Sequence, residues 1–403
     1  MLWQALSTLG PGGPLCPNLR ELHIDLNRIS LQDAYQITPL LTSSLRCIAL
    51  HDSPSHDSTA RIIFDTLRIR NADILDIFYK GKMKDHILER AMSFPNLISV
   101  SLPSHSSRHS ENPITPFLRN LATLDLDVEC LRDEILQKLG KWFETLVSLT
   151  SLTLRGNLEN IHKCIHDLNP ITSIHIFGLY RRPSSEKQME MAHLIPLFVI
   201  IFPNLHSLLL EDMITNASMM TLNDLMSFRE RPMRALDLNH LGITGNDIVE
   251  IVRAWPTLER LGVKGDTISA RYILPLISCS APSLRVLSLP VYFPLASFPE
   301  PDSPFPPRRY CMESFLDFPH IWSQPNEVVC PLQHLSISFV DETMNFYLTL
   351  GYARKLIELF PRLRTLSETT PLQRGGLPNL HVAINILQDT ISSPPRRSDR
   401  LFI

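Results

Sequence analysis

One phrase of apolar and polar positions recurs along the chain. Its clearest copy, Cys16-Pro17-Asn18-Leu19-Arg20-Glu21-Leu22-His23-Ile24, has the form P-x-L-x-x-L-x-L. It returns at Phe94-Pro95-Asn96-Leu97 with Val100 and Leu102, and at Phe202-Pro203-Asn204-Leu205 with Leu208 and Leu210. Further copies follow at Trp255-Pro256-Thr257-Leu258 with Leu261 and Val263, and at Ala281-Pro282-Ser283-Leu284 with Leu287 and Leu289. The last are Cys330-Pro331-Leu332 with Leu335 and Ile337, and Phe360-Pro361-Arg362-Leu363 with Leu366. Weaker triplets fill the gaps: Leu45/Ile48/Leu50, Ala72/Leu75/Ile77, Leu121/Leu124/Leu126, Leu149/Leu152/Leu154, Ile171/Ile174/Ile176 and Met233/Leu236/Leu238. Most copies are spaced by roughly 20–29 residues, the period of a stacked array.

The L-x-L part alternates with period two, so both side chains leave a short strand on one side. The Leu three residues earlier enters the same core from the turn. A single copy cannot hide that apolar side, whereas stacked neighbours cover it, and their strands then pair in parallel. At about 1.5–3 kcal/mol for each fully buried Leu or Ile, three such residues per copy contribute several kcal/mol.

Between the strands the period becomes helical. In Ile243-Thr244-Gly245-Asn246-Asp247-Ile248-Val249-Glu250-Ile251-Val252-Arg253-Ala254-Trp255-Pro256, the residues Ile248, Ile251, Val252 and Trp255 form one stripe. Thr244 or Asn246 is placed to cap the start, and Pro256 stops the helix. Residues 62–69, 83–92, 131–146, 190–202, 218–228 and 347–360 read the same way. The expectation is an α/β fold, a leucine-rich-repeat solenoid of the ribonuclease-inhibitor-like kind, with a parallel inner sheet and outer helices.

The organisation follows from where the phrase fails. Residues 1–14 form an N-terminal lead-in, 15–289 the solenoid, 290–329 a Pro-rich insertion, 330–390 terminal repeats and a cap, and 391–403 a disordered tail. The polar stretch 103–116 reads as a loop inside the array.

Four phrases carry a family resemblance. They are Pro17-Asn18-Leu19-Arg20-Glu21-Leu22, Ile37-Thr38-Pro39-Leu40-Leu41 before Ser44-Leu45-Arg46, Arg253-Ala254-Trp255-Pro256-Thr257-Leu258-Glu259-Arg260-Leu261, and Leu356-Ile357-Glu358-Leu359-Phe360-Pro361-Arg362-Leu363-Arg364. Over roughly 15–370 the chain resembles the leucine-rich-repeat region of fungal F-box proteins, the mushroom-type family in particular. The resemblance implies a receptor whose repeats grip a substrate of a ubiquitin ligase. An F-box would read as a phrase such as Leu-Pro-x-Glu-Ile-Leu ahead of the repeats, where Gly10-Pro11-Gly12-Gly13-Pro14 stands instead. The implied molecule is a receptor half without its docking handle, with a Skp1-type adaptor as partner only if an F-box lies upstream.

Composition narrows the function. Apolar residues make up 44%, charged residues 20%, and the net charge is -3. That balance disfavours a nucleic-acid or polybasic membrane binder. The seven cysteines show no C-x-x-C, which fits buried, reduced thiols. No basic segment with a long apolar run opens the chain, so the expected location is cytoplasmic or nuclear.

Candidate chemistry is sparse. His162 and His166 share a helix face if 158–167 is helical, but Cys164 then points elsewhere, and no metal site is expected. No phosphate-cradling loop or nucleophile elbow occurs, so the chain is expected to be non-enzymatic, without catalytic residues or cofactor. What remains is an unknown protein ligand on the concave face. The x positions of the phrase supply its candidate residues: Asp125, Asp127, Arg155, His175, Phe177, Glu211, Asp237, Asn239, Arg260 and Lys264. Their mixed charge suits a protein partner. The alternative is a free-standing scaffold, or a GTPase-regulating repeat protein of the Ran type. That last type would carry an acidic tail, unlike Pro394-Pro395-Arg396-Arg397.

Overall fold

A computed structural model of the chain describes residues 16–26, 37–51, 57–80, 90, 93–102, 120–129, 133–181, 191–212, 221–265, 268–292, 330–337, 353–354 and 356–368. The lead-in, the 103–116 loop, most of the Pro-rich insertion, the tail and all of the 83–92 helix but Arg90 lie outside the described residues. The chain falls into two compact units, Met1–Ser218 and Met219–Ile403. That division runs inside the stretch the sequence presents as one array.

In the first unit the strands are β1 (Glu21–Asp25), β2 (Cys47–His51), β3 (Asp76–Lys80), β4 (Ser99–Leu102), β5 (Thr123–Asp127), β6 (Ser151–Gly156), β7 (Ile176–Arg181) and β8 (Ser207–Asp212). Each pairs in parallel with the next in chain order. In the second unit β9 (Ala235–Asn239), β10 (Arg260–Lys264), β12 (Val286–Leu289), β14 (His334–Ile337) and β15 (Thr365–Glu368) do the same. Two-residue strands β11 (Ile268–Ser269) and β13 (Val291–Tyr292) pair beside them. Both units are leucine-rich-repeat stacks.

The L-x-L positions behave as the alternation requires. Leu124, Leu126, Leu152, Leu154, Leu208 and Leu210 are buried in the first unit, and Leu236, Leu238, Leu261, Val263, Leu287 and Leu289 in the second. Two weaker triplets take a different phase. Ile77 pairs with Ile48 and Tyr79 with Leu50, so the third copy is Ile74/Ile77/Tyr79 rather than Ala72/Leu75/Ile77. Phe177 pairs with Leu152 and Leu179 with Leu154, so the seventh is Ile174/Phe177/Leu179 rather than Ile171/Ile174/Ile176.

Helices cover the apolar side. They include Asp57–Ile69, Asp133–Thr145, Leu158–Ile165, Ile195–Ile201, Leu222–Met226, Gly245–Ala254 and Ala270–Ser280. The Gly245–Ala254 helix shows why the sequence starts it there. Thr244 accepts the Asp247 N–H at 3.3 Å, while the Asp247 carboxylate accepts the Thr244 N–H at 2.8 Å and its hydroxyl at 2.6 Å. This capping box satisfies donors the first turn leaves open. Its buried stripe is Ile248, Val249, Ile251 and Val252, and Trp255 closes the helix with its indole N–H donating to the Phe228 carbonyl at 3.2 Å. Thr244→Ala is expected to cost about 1 kcal/mol, read as a lower urea midpoint at unchanged slope; an unchanged midpoint would show the cap to be idle.

The expectation of uniformly buried thiols holds for Cys164 and Cys330, whose burial pushes the Cys330 thiol up to about 11 and Cys164 higher still. Cys16 and Cys279 are exposed and Cys47 is half-buried. No described helix is long and apolar enough to cross a membrane.

Candidate functional site

The solvent side of the first unit's sheet carries an ordered polar row. It starts at Ser101 on β4, whose hydroxyl donates to the Asp125 carboxylate of β5 at 3.0 Å. Asp125 in turn receives Arg155 of β6 in a two-pronged pair, Nε to Oδ1 at 2.7 Å and Nη2 to Oδ2 at 2.9 Å. By register Asp125 stands opposite Thr153, so the pair is diagonal, within the reach of a long side chain. The same guanidinium lies over the ring of Tyr180 on β7, 3.8 Å from its centroid. Tyr180 stands opposite Arg155 on one side and Glu211 of β8 on the other.

The electrostatics follow from this packing. Burial works against the Arg155 charge, but the Asp125 carboxylate and then Tyr180 more than offset it, and its pKa rises. Burial pushes the Tyr180 phenol up; Arg155 opposes that and Glu211 adds to it. Arg155 is therefore a fixed, half-buried cation with one flat side on an aromatic ring. Beside it, Gly178 is buried against the Thr153 side chain of β6. A Cβ there would come within 2.8 Å of the Thr153 hydroxyl. Ile176, 42% exposed, adds an apolar patch on the same strand.

Several expected face residues lie elsewhere. Phe177 is fully buried, its ring 4.7 Å from Phe198 and 4.8 Å from Phe202, because the strand starts in the other phase. Its neighbour Tyr180, which the sequence pattern does not single out, takes the surface place. Asp127 is buried as well. Alternation breaks where the strand ends: its carboxylate accepts the Glu129 N–H at 2.9 Å and shapes the exit turn, while Val128 N–H donates to the Arg155 carbonyl at 2.7 Å. Asn239, 6% exposed, holds the equivalent place after Leu238, followed by His240 at φ 59°. Both are buried at the last position of a strand rather than presented on the solvent face.

His175 precedes β7 and stacks on His206 of the next repeat, with ring centroids 5.4 Å apart and planes at 7°. Glu211 is half-buried at the end of the polar row. In the second unit Asp237 pairs diagonally with Arg260 at 3.2 Å and leans over Gly262, where a Cβ would come within 2.1 Å of its Oδ1. Lys264 is exposed at the strand end.

His162 and His166 do share a helix face, their rings stacked 5.1 Å apart, with Cys164 buried on the core side. Burial, and then His166, lowers the His162 pKa. Among the described residues no group of three His, Cys, Asp or Glu is placed to hold a metal ion.

No protein-family model matches the sequence, and no curated protein matches it. Among solved structures, a chain of the yeast Rad7–Elc1 complex follows a similar course, with a TM-score of 0.43 and 14% identity over 93% of this chain and 85% of that one.

Proposed function

We infer that the chain is a non-catalytic protein-binding module that holds a partner on the solvent face of β5–β7. The observation that carries this is the Asp125–Arg155–Tyr180 set. Arg and Tyr are among the residues that dominate binding energy at protein interfaces. Here they stand on strands, pre-ordered by a two-pronged ion pair, so little side-chain freedom is left to lose on binding. The exposed Ile176 supplies apolar area beside them. The finer reading, the substrate-holding half of an F-box-type ubiquitin-ligase receptor, draws support from the fungal phrases around Leu19, Leu45, Leu258 and Leu363.

The test is capture by the intact chain with matched variants. A specific partner is expected to bind about 30-fold more weakly to Tyr180→Ala and to Arg155→Ala, the equivalent of about 2 kcal/mol at an interface hot spot. Lys163→Ala, on the Leu158–Ile165 helix and paired with Asp133 and Glu159, is expected to change nothing. A partner held equally by the face variants and lost with the helix variant would overturn the assignment. A receptor role further predicts that the partner accumulates in cells depleted of this protein.

A further inference from the structure

In the second unit β10, β12, β14 and β15 are each entered through a residue whose N–H donates to the carbonyl of its counterpart one repeat earlier. Glu259 donates to Arg234 at 2.8 Å, Arg285 to Glu259 at 2.8 Å, Gln333 to Arg285 at 2.9 Å and Arg364 to Gln333 at 2.8 Å. These residues therefore form one row, with neighbours about 4.8 Å apart, the spacing of paired strands. Arg234, Glu259, Arg285 and Gln333 of this row border a cleft of about 470 Å³, to which Arg362 also contributes.

The cleft is cationic in a chain whose net charge is -3. Arg234, Arg285 and Arg362 line it against the single carboxylate of Glu259. Among the described residues no carboxylate lies within ion-pair distance of any of the three guanidiniums. Other arginines of the same unit are paired: Arg253 with Glu250 at 2.9 Å, Arg260 with Asp237 at 3.2 Å, Arg354 with Glu358 at 3.1 Å. The cations of the cleft are thus available to a ligand, and guanidinium forks match carboxylate and phosphoryl oxygens.

The spacing adds a rule. Arg234 and Arg285 stand two rungs apart, about 10 Å, which a peptide in the extended polyproline II conformation covers in one three-residue turn at about 3.1 Å per residue, bringing residues i and i+3 to the same face. Glu259 sits between them and repels negative charge at the intervening positions. We propose that this cleft binds an extended peptide carrying anionic side chains three residues apart, with neutral or basic residues between them. A continuous polyanion such as single-stranded nucleic acid fits less well, because Glu259 interrupts the row. The proposal shares with the reading above only that the ligand is a protein segment, and it concerns a different unit.

The test uses the full chain and dye-labelled nine-residue peptides in fluorescence anisotropy. One peptide carries Asp at positions 3 and 6, a second phosphoserine at the same places, a third Asn, and a fourth two adjacent Asp. The first or second is expected to bind at least 10-fold more tightly than the third and fourth, and which of them is tighter tells carboxylate from phosphate recognition. Arg285→Glu and Arg234→Glu should each remove at least 10-fold of that affinity, Glu259→Gln should loosen the preference for separated charges, and Arg253→Glu should change nothing. Tyr180→Ala should leave peptide binding intact, so failure here and failure of the β5–β7 assignment can be told apart. Thermal melting of each variant excludes misfolding as the cause of a loss. Equal binding of the Asn peptide, no binding of either anionic peptide, or tighter binding of a single-stranded oligonucleotide through the same arginines would overturn the proposal.

Discussion

Phe177→Ala is expected to destabilise the first unit by about 3–5 kcal/mol, the range for deleting a buried aromatic ring. The ring has no exposed surface and packs against Phe198 and Phe202 at 4.7 and 4.8 Å, so its loss leaves a hole lined by two rigid rings that cannot collapse onto it. Strand β7 sits inside a ladder, between β6 and β8, so the damage spreads to both neighbours. The measurement is urea denaturation followed by circular dichroism. Tyr180→Ala, three residues on, should shift the midpoint far less while weakening partner capture. If instead Phe177→Ala keeps its midpoint and loses the partner, Phe177 belongs to the binding face and β7 runs in the opposite phase.

The second large effect has a sign that helix propensity alone gets backwards. Gly140 lies within the Asp133–Thr145 helix, where replacing glycine with alanine ordinarily stabilises by about 1 kcal/mol. Here the added Cβ would stand 2.3 Å from the Cys164 carbonyl oxygen and 3.3 Å from Leu168. The first of these is backbone of the neighbouring Leu158–Ile165 helix and cannot rotate aside. The two helices must move apart, and overpacking of this kind costs about 1–3 kcal/mol. Gly140→Ala is therefore expected to melt several degrees below the parent chain, and Gly140→Leu lower again. A rise in Tm for Gly140→Ala would mean that the helices are not in contact at this point.

How much of the fold and face is legible in the sequence depends on the strength of each phrase. The seven copies with a proline lead-in put their core residues in the right phase, because proline fixes where the strand begins and the alternation does the rest. The copies without it are ambiguous. Ile171-Thr172-Ser173-Ile174-His175-Ile176 satisfies the pattern as well as Ile174-His175-Ile176-Phe177-Gly178-Leu179 does, and Ile171 and Ile174 are both buried, so hydrophobicity cannot choose. Only pairing with β6 decides, and it moves Phe177 into the core and Tyr180 onto the surface. The errors at Asp127 and Asn239 have another origin. Period-two reasoning holds within a strand and lapses at its last residue, where both side chains are buried and the Glu129 N–H of the exit turn claims the Asp127 carboxylate. The Ala270–Ser280 helix escapes the pattern because Pro275 reads as a breaker. The Asp125–Arg155 link is invisible for a simpler reason: a diagonal contact needs the register, which no single strand contains.

The insertion between Leu289 and His334 has a consequence for how such a chain changes over time. Val286 to Leu289 align with His334 to Ile337 as closely as any consecutive rungs, despite the long excursion between them. Lengthening an excursion that departs and returns at adjacent positions adds little entropic penalty, about 0.6 kcal/mol for each doubling. The scaffold is thus blind to its passenger: descendants are free to swap, shorten or elaborate that segment while every rung stays where it was.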